Sequence, residues 1–328
     1  MKKFLLLTLV CLSCVASYAA QLTATLQSGD NMTPFYGDNS FVEAYEAAVD
    51  GDVITLSPGQ FNGVTSIVKS IKVIGSYAFD EKASTATILS NNLTIEASNV
   101  SFEGVRFTNT NNNGITIKAT DQLTFSRCYI YRLNNTKGDS VTYHTNTRLL
   151  DCQVLVFGAM SLSDNLVLQN CCISYFSEVN DKSKLAYIEN CQIRYWYVYL
   201  NNGYKQPYAV YNGCFLGCFS GAGQQETLTL SSPSEFHKSI IFKLHKYPLN
   251  IDSSSCVVSA LEQDDRSGSN LSAMPDLSFT PYTYKNVSYG PIDHKAYPAI
   301  PVISSSLIDS KTDAVGNLHI KIEAEVRD

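Results

Sequence analysis

Three titratable residues, Glu96, Lys118 and His144, end three short strand-like stretches, 93–96, 115–118 and 141–144. If the loops between the stretches allow them to lie side by side, the three side chains share one outward column, with Ser163 next in line. A carboxylate, an amine and an imidazole in one column could transfer protons. The alternative interpretation is an ordinary solvated column of polar residues.

A second candidate site is an aromatic segment, residues 194–211, which holds six tyrosines and the single tryptophan of the chain. Aromatic faces can stack on sugar rings, and the neighbouring amides and cations can bind sugar hydroxyls. The ligand-binding residues predicted from this segment and from one earlier strand are Tyr129, Tyr131, Arg194, Tyr195, Trp196, Tyr197 and Tyr199. The same rings could instead cover apolar surface beneath the C-terminal tail.

Both candidates lie within a repeat that occurs seven times between Val100 and Phe242. Its first apolar column is Phe102, Phe125, Leu149, Leu168, Ile188, Tyr211 and Phe236. Three residues later comes Val105, followed in later copies by Cys128, Cys152, Cys171, Cys191, Cys214 and Ser239. Two residues after that comes the third column, Phe107, Ile130, Val154, Ile173, Ile193, Leu216 and Ile241. The copies are 19 to 25 residues apart, which is the period of a solenoid.

The step of three between the first two columns breaks the strand alternation, so the chain must bend at one residue there. That position holds Gly104, Arg127, Asp151, Asn170, Asn190, Gly213 and Lys238. Five of these seven are Gly, Asn or Asp, which tolerate a left-handed backbone. With a further strand before each copy, the pattern predicts three strands per coil, and therefore an all-β parallel solenoid whose interior residues stack in ladders.

This pattern resembles the right-handed parallel β-helix of the pectin-lyase-like superfamily. The bend column is similar to the asparagine-rich second turn of those proteins, and residues 41–61 are similar to their entry cap. The resemblance covers roughly residues 38 to 260 and implies a short N-terminal capping helix and an extended C-terminal tail that ends in a strand. It implies the fold rather than an activity, because the superfamily includes lyases, hydrolases, esterases and non-enzymes.

Four regions follow from the sequence. Residues 1–19 have a charged start, an apolar run and small residues before Ala19, which predicts a signal peptide cleaved near Ala19, with lipidation of Cys14 left open. Residues 20–52 are the lead-in and cap, 53–260 the β-helix, and 261–328 a tail whose alternating residues 318–326 predict a final strand. The mature chain is predicted to lack a transmembrane segment and to be secreted, periplasmic or cell-surface.

Composition and cysteine spacing limit the classes of partner and cofactor that the chain could bind. The net charge is −6 and no basic residues cluster, which argues against a nucleic-acid partner. Eight cysteines follow the signal peptide, and five of them share the inward column, so we expect buried free thiols, with one or two disulfides as the alternative. The cysteines lack the spacing of a zinc site, and no metal site is predicted.

The sequence therefore leads to three hypotheses of function. The first is a β-helix that binds polysaccharide or another glycan without catalysis. The second is a polysaccharide lyase or glycoside hydrolase that acts on uronate-type polymers through Glu96, Lys118 and His144, with calcium as its only possible cofactor. The third is a structural or adhesive surface protein without a small ligand.

Overall fold

The computed structural model describes residues 21–79, 82, 84–108, 114–118, 120–135, 144–158, 163–179, 186–199, 209–222, 235–243, 254–258, 282–284, 287–291, 301–308 and 320–326. The predicted signal peptide lies outside this part of the chain. The structure divides into two units, residues 1–291 and residues 292–328. None of the helical structure in the described part has the length and hydropathy of a membrane-spanning helix.

The first unit contains one described helix, α1 (Ser40–Ala47), and strands β1 to β28. In chain order the strands are β1 (Thr23–Ser28), β2 (Asn31–Tyr36), β3 (Val53–Leu56), β4 (Gly59–Phe61), β5 (Ser66–Ile67), β6 (Lys72–Ile74), β7 (Thr87–Leu89), β8 (Leu93–Ile95), β9 (Ser101–Glu103), β10 (Val105–Phe107), β11 (Ile115–Ile117), β12 (Thr124–Ser126), β13 (Tyr129–Asn135), β14 (His144–Thr145), β15 (Arg148–Leu150), β16 (Gln153–Phe157), β17 (Ser163–Asp164), β18 (Leu166–Gln169), β19 (Cys172–Val179), β20 (Ala186–Glu189), β21 (Gln192–Tyr199), β22 (Ala209–Asn212), β23 (Phe215–Ala222), β24 (Glu235–His237), β25 (Ile240–Lys243), β26 (Val257–Val258), β27 (Tyr282–Tyr284) and β28 (Val287–Tyr289).

Most of the strands from β3 to β26 form a parallel β-solenoid with three faces. Face 1 is the parallel run β3-β6-β9-β12-β15-β18-β20-β22-β24. Face 2 follows the bend and runs through β4, β7, β10, the first halves of β13, β16, β19, β21 and β23, and then β25 and β26. Face 3 begins with β5, β8 and β11 and continues in the second halves of β13 to β23, because each of these long strands turns the corner without a break.

The predicted interior ladders are confirmed. Phe102, Phe125 and Leu149 are register partners on consecutive coils of face 1, and the column continues to Phe236. Every member of this column is at most 1 % exposed. The column from Phe107 to Ile241 on face 2 is in register in the same way. Burial of these stacked side chains holds each coil against its neighbours.

All seven residues of the predicted bend column have a left-handed backbone, with φ between 44° and 66°. The bend residue of one coil donates its N–H to a carbonyl of the next coil, as Asn170 does to Glu189 at 2.9 Å. A second left-handed column, which the sequence did not reveal, lies five residues earlier in four coils, at Asn99, Gln122, Asn146 and Asn165. Each of these face 1 strands therefore begins and ends at a left-handed residue.

The cysteine ladder consists of free thiols. Cys128, Cys152, Cys171, Cys191 and Cys214 are fully buried and unbridged, and the half-buried Cys256 is also a free thiol. Each thiol lies against a carbonyl of the preceding coil, for example Cys214 Sγ 3.3 Å from the Ile188 oxygen. Burial raises the pKa of the Cys152 and Cys191 thiols and raises that of Cys214 to about 12. These thiols therefore behave as small apolar residues, as predicted from their column.

The N-terminal lead-in contains two strands before the helix. It is a hairpin in which β1 pairs antiparallel with both β2 and β3. Gly29, with φ 58°, begins a two-residue turn of the kind that suits such a hairpin. The predicted helix is present as α1, and its residues Phe41, Ala44 and Tyr45 join the solenoid core, as a cap requires.

The described part of the C-terminal tail contains strands. In the second unit, β29 (Pro301–Ile308) pairs antiparallel with β30 (Ile320–Val326).

Candidate ligand-binding face

Glu96 and Lys118 lie on consecutive coils of face 3, directly after β8 and β11. The Lys118 Nζ is 2.9 Å from Glu96 Oε1, and the Ser66 hydroxyl on the preceding coil donates to the same oxygen at 3.0 Å. The structure therefore brings together two members of the predicted acid–base column and adds a serine that sequence reasoning missed. Ser66 could have been found from the register of its stretch with residues 93–96.

The hydrogen bonds from Lys118 and Ser66 hold the pKa of the Glu96 carboxyl below its ordinary value. The carboxylate is therefore ionised at neutral pH and cannot act as a general acid. Both side chains are more than a third exposed, so their contact is a surface ion pair.

His144 does not follow Lys118 in the register of face 3. The strand beside β11 is the second half of β13, with Ile117 opposite Asn135. His144 belongs to β14, which pairs with β17 and sets His144 beside Ser163. The predicted column therefore stops after Lys118, because β13 turns the corner without a break and the chain reaches His144 only after a further insertion. The side chain of His144 lies outside the described residues.

A row of hydroxyl and amide side chains runs next to the ion pair. Ser66, Thr94, Thr116 and Asn134 are register partners on four consecutive coils. All four are half-buried on the outward side of face 3. Neighbouring parallel strands are about 4.8 Å apart, so the row places one polar group at each such interval. We call these four residues the polar row.

A corner ridge lies where face 2 turns into face 3, and it begins on β13, the strand that carries the last residue of the polar row. On β13, β16 and β19 two buried residues stand three apart, as Ile130 and Leu133 do, so two consecutive residues between them lie on the outside. The ridge positions are Tyr131 and Arg132, Leu155 and Val156, Ser174 and Tyr175, and Arg194 and Tyr195. The structure thus places the predicted residues Tyr131 and Arg194 on one ridge: Tyr131 shares β13 with Asn134, the last residue of the polar row, and Arg194 lies three coils further along. The predicted Tyr195 is the register partner of Tyr175.

Tyr175 is the ridge residue that sequence reasoning missed. Its side chain is 37 % exposed, and partial burial raises the pKa of its phenol, which stays protonated at neutral pH. The residue lies at the corner where face 2 turns into face 3. The aromatic segment drew attention to residues 194–211, whereas Tyr175 lies one coil earlier.

Tyr129 is engaged within the protein. It lies on face 2, where the Arg106 guanidinium carbon is 3.8 Å from the centre of its ring. Arg106 is itself buried and donates to the Ala78 carbonyl at 3.2 Å. The ring face of Tyr129 that covers Arg106 is therefore not open to a sugar.

Trp196 occupies the register position of Phe157 and Phe176, which are buried and stack at 5.1 Å in the interior. Tyr197 and Tyr199 lie further along β21, beside Ser177 and Val179. The side chains of Tyr195, Trp196, Tyr197 and Tyr199 lie outside the described residues.

Within the part of the chain that the structure describes, no group of three or more His, Cys, Asp and Glu side chains is arranged to hold a metal ion. Comparison of the chain with protein-family models, with curated proteins and with solved structures found no match.

Proposed function

We propose that this protein is a secreted or cell-surface right-handed β-helix of the pectin-lyase-like kind that binds polysaccharide without catalysis. The proposed binding surface is face 3 with its corner ridge. The observation that carries the proposal is the polar row, a repeated series of hydroxyl and amide groups, with the exposed Tyr175 two coils beyond its last residue. A polymer that offers hydroxyls at regular intervals fits a surface that offers donors and acceptors at regular intervals.

The handedness and the family rest on the asparagine-rich bends and the capping helix, and the secreted location rests on residues 1–19. The ion pair supports binding over catalysis. Glu96 and Lys118 neutralise each other at 2.9 Å, and the imidazole that completed the predicted patch belongs to another strand pair. Trp196 is left out of the proposed surface because its register position is an interior one.

The test is affinity electrophoresis of the protein in gels that contain neutral or uronate-type polysaccharides. Tyr175→Ala removes the exposed ridge ring, and Thr94→Val removes a hydroxyl of the polar row while keeping its shape. Each substitution is expected to weaken binding by about tenfold, or about 1.4 kcal/mol.

Tyr187→Ala is the matched control. Tyr187 is 48 % exposed but lies on face 1, so its loss should leave the affinity unchanged. If Tyr175→Ala and Tyr187→Ala weaken polysaccharide binding equally, face 3 is not the binding site. If none of the polysaccharides slows the migration of the wild-type protein, the proposal is refuted. Ultraviolet absorbance of the same mixtures tests the lyase alternative, which requires an unsaturated product.

A further inference from the structure

The outer side of face 1 carries two unlike rows of side chains on β18, β20 and β22. Register partners on these consecutive strands form an apolar row, which consists of Val167, Tyr187 and Val210. Two residues further along the same strands is a polar row of amides and one acid, which consists of Gln169, Glu189 and Asn212. We call these six residues the face 1 platform. A ligand lying across it would contact both kinds of chemistry.

Glu189 supplies the negative charge of the platform, and each of its carboxylate oxygens accepts one amide hydrogen bond. Gln169 Nε2 donates to Glu189 Oε2 at 3.3 Å, and Asn212 Nδ2 donates to Glu189 Oε1 at 3.4 Å. A carboxylate offers about four acceptor positions, so further donors can bind. Among the side chains that the structure describes, no cation forms an ion pair with Glu189. Its charge is therefore open to a cationic ligand.

Tyr187 supplies the apolar side of the platform. Its side chain is 48 % exposed and lies between the half-buried Val167 and Val210. Tyr187 and Glu189 extend outward from the same strand, about 6.6 Å apart along it. The next charged residues in the two rows are two coils away, or about 10 Å, and are Arg148, Glu235 and His237. Glu189 is therefore the charge closest to the tyrosine ring in these rows.

A lysine side chain matches this arrangement. Its ammonium group donates three hydrogen bonds and can bind Glu189, while its apolar stem lies along the ring of Tyr187. The four-carbon stem is long enough to join the two positions, and an ammonium within about 6 Å of the ring centre gains a cation–π interaction as well.

The two amides indicate that the lysine belongs to a chain. Gln169 and Asn212 lie one coil to either side of Glu189, about 4.8 Å away, where they can bind the backbone that carries the lysine. Because Tyr187 and Gln169 are exposed, the platform is an open surface on which a free amine would bury little area. Backbone contacts from a partner chain offset that deficit.

We infer that the face 1 platform is a docking site for a lysine-bearing segment of a partner protein. The net charge of −6 favours the approach of a basic partner, and the uncompensated carboxylate selects its cation. The site is separate from the proposed polysaccharide surface on face 3. Neutral and uronate-type polysaccharides carry no cation, so Tyr187→Ala leaves their binding unchanged.

Ligand-observed saturation-transfer NMR on the full chain tests the inference, because it detects weak binding and shows which ligand protons touch the protein. The probe is a glycine pentapeptide with blocked ends and a central lysine. The matched probe carries norleucine in place of lysine, which keeps the stem and removes the charge. We expect saturation of the lysine stem protons and at least about threefold less for norleucine.

Two substitutions separate the two sides of the platform. Glu189→Gln removes the charge while keeping the shape, and Tyr187→Ala removes the ring. Each is expected to reduce saturation of the lysine stem about three- to fivefold. Glu43→Gln is the matched control, since it removes the same charge from an exposed position on α1 and should leave the signal unchanged.

The inference is overturned if the lysine and norleucine peptides are saturated equally in the wild-type protein. It is also overturned if Glu43→Gln loses as much signal as Glu189→Gln, because the attraction is then a property of the whole acidic surface. Saturation of the free diamine cadaverine as strong as that of the peptide would show that the site takes a small amine instead of a partner chain.

Discussion

The ammonium group of Lys69 closes the C-terminal end of α1, and we expect its removal to loosen the N-terminal cap. Lys69 Nζ lies 2.8 Å from the Tyr45 carbonyl oxygen, 2.9 Å from that of Glu46 and 2.8 Å from that of Ala48. It also lies 5.0 Å from the centre of the Tyr45 ring. The last carbonyls of a helix lack partners within the helix, and a cation is the favoured partner there.

The expected magnitude follows from which carbonyls lose their donor. Tyr45 and Ala48 are buried, at 7 % and 2 % exposure, so water does not readily replace the ammonium there. The Ala48 carbonyl loses its donor at a cost of about 1–2 kcal/mol, whereas the Tyr45 carbonyl keeps a longer hydrogen bond from the Ala48 N–H at 3.3 Å and loses about 1 kcal/mol. The lost interaction with the helix dipole adds about 0.5 kcal/mol. The carbonyl of the exposed Glu46 can bind water instead and adds little. Lys69→Met, which keeps most of the apolar stem, should therefore destabilise the cap by about 3 kcal/mol.

The assay is hydrogen exchange at the α1 amides, because a solenoid can open at one end while the remaining coils stay folded. Lys118→Met is the matched control, since Lys118 is 46 % exposed and its surface ion pair is worth at most about 1 kcal/mol. The reasoning is refuted if the α1 amides of Lys69→Met exchange as slowly as those of the wild-type protein. It is also refuted if Lys69→Met and Lys118→Met lose the same amount of protection at these amides.

Two further predictions concern the corner where face 1 turns into face 2. Asn170 has φ 56° and donates its side-chain amide to Asp151 Oδ1 at 2.6 Å. Asn170→Val should cost about 2–4 kcal/mol in urea unfolding through backbone strain and the lost bond, and Asn170→Gly should cost less; equal costs would contradict the assigned strain. Burial alone would raise the pKa of Glu103, but hydrogen bonds from Lys72 and Arg127 outweigh it and leave the pKa below its ordinary value. This carboxylate therefore stabilises the fold at neutral pH, and its contribution is lost as the pH falls below the ordinary pKa of a glutamate and through the lowered pKa of Glu103. Glu103→Gln should accordingly reduce the difference in melting temperature between neutral and acidic solution, and an unchanged difference would show that the ion pairs do not stabilise the fold.

The interior ladders were predictable because their signal is local. Apolar residues two and three positions apart, repeated at a nearly fixed period, leave few alternatives to stacked coils. Even the exceptions followed the column, since Arg127 and Lys238 bend with φ of 53° and 44° although neither residue type favours that region. At these positions the flanking buried residues determine the backbone, and the bend residue adapts.

The second left-handed column was missed because its residues carry no comparable pattern. Asn99, Gln122, Asn146 and Asn165 come directly after variable loops, where Asn and Gln are common for many reasons. Their constant distance of five residues from the bend column was the feature of the sequence that could have revealed them.

The candidate site was predicted less well because it depends on how each loop closes. Glu96 and Lys118 follow strands of equal length, so their register could be extrapolated correctly. His144 could not, because β13 continues around the corner and displaces the following stretch from face 3. The contact of Lys69 with the C-terminal end of α1 could not be predicted for a related reason. It joins residues that are far apart in the sequence and forms only once the coil that carries Lys69 packs against the helix.

The two left-handed residues that bracket a face 1 strand determine where evolution can alter the length of a coil. The interval between the two columns is five residues at Asn99–Gly104, Gln122–Arg127, Asn146–Asp151 and Asn165–Asn170, although the coils themselves differ in length. One residue inserted inside such an interval would turn its interior side chain to the solvent. Additions between the strands of the faces only lengthen a loop, so new segments can be acquired on the flanks of this protein while the stack beneath them keeps its alignment.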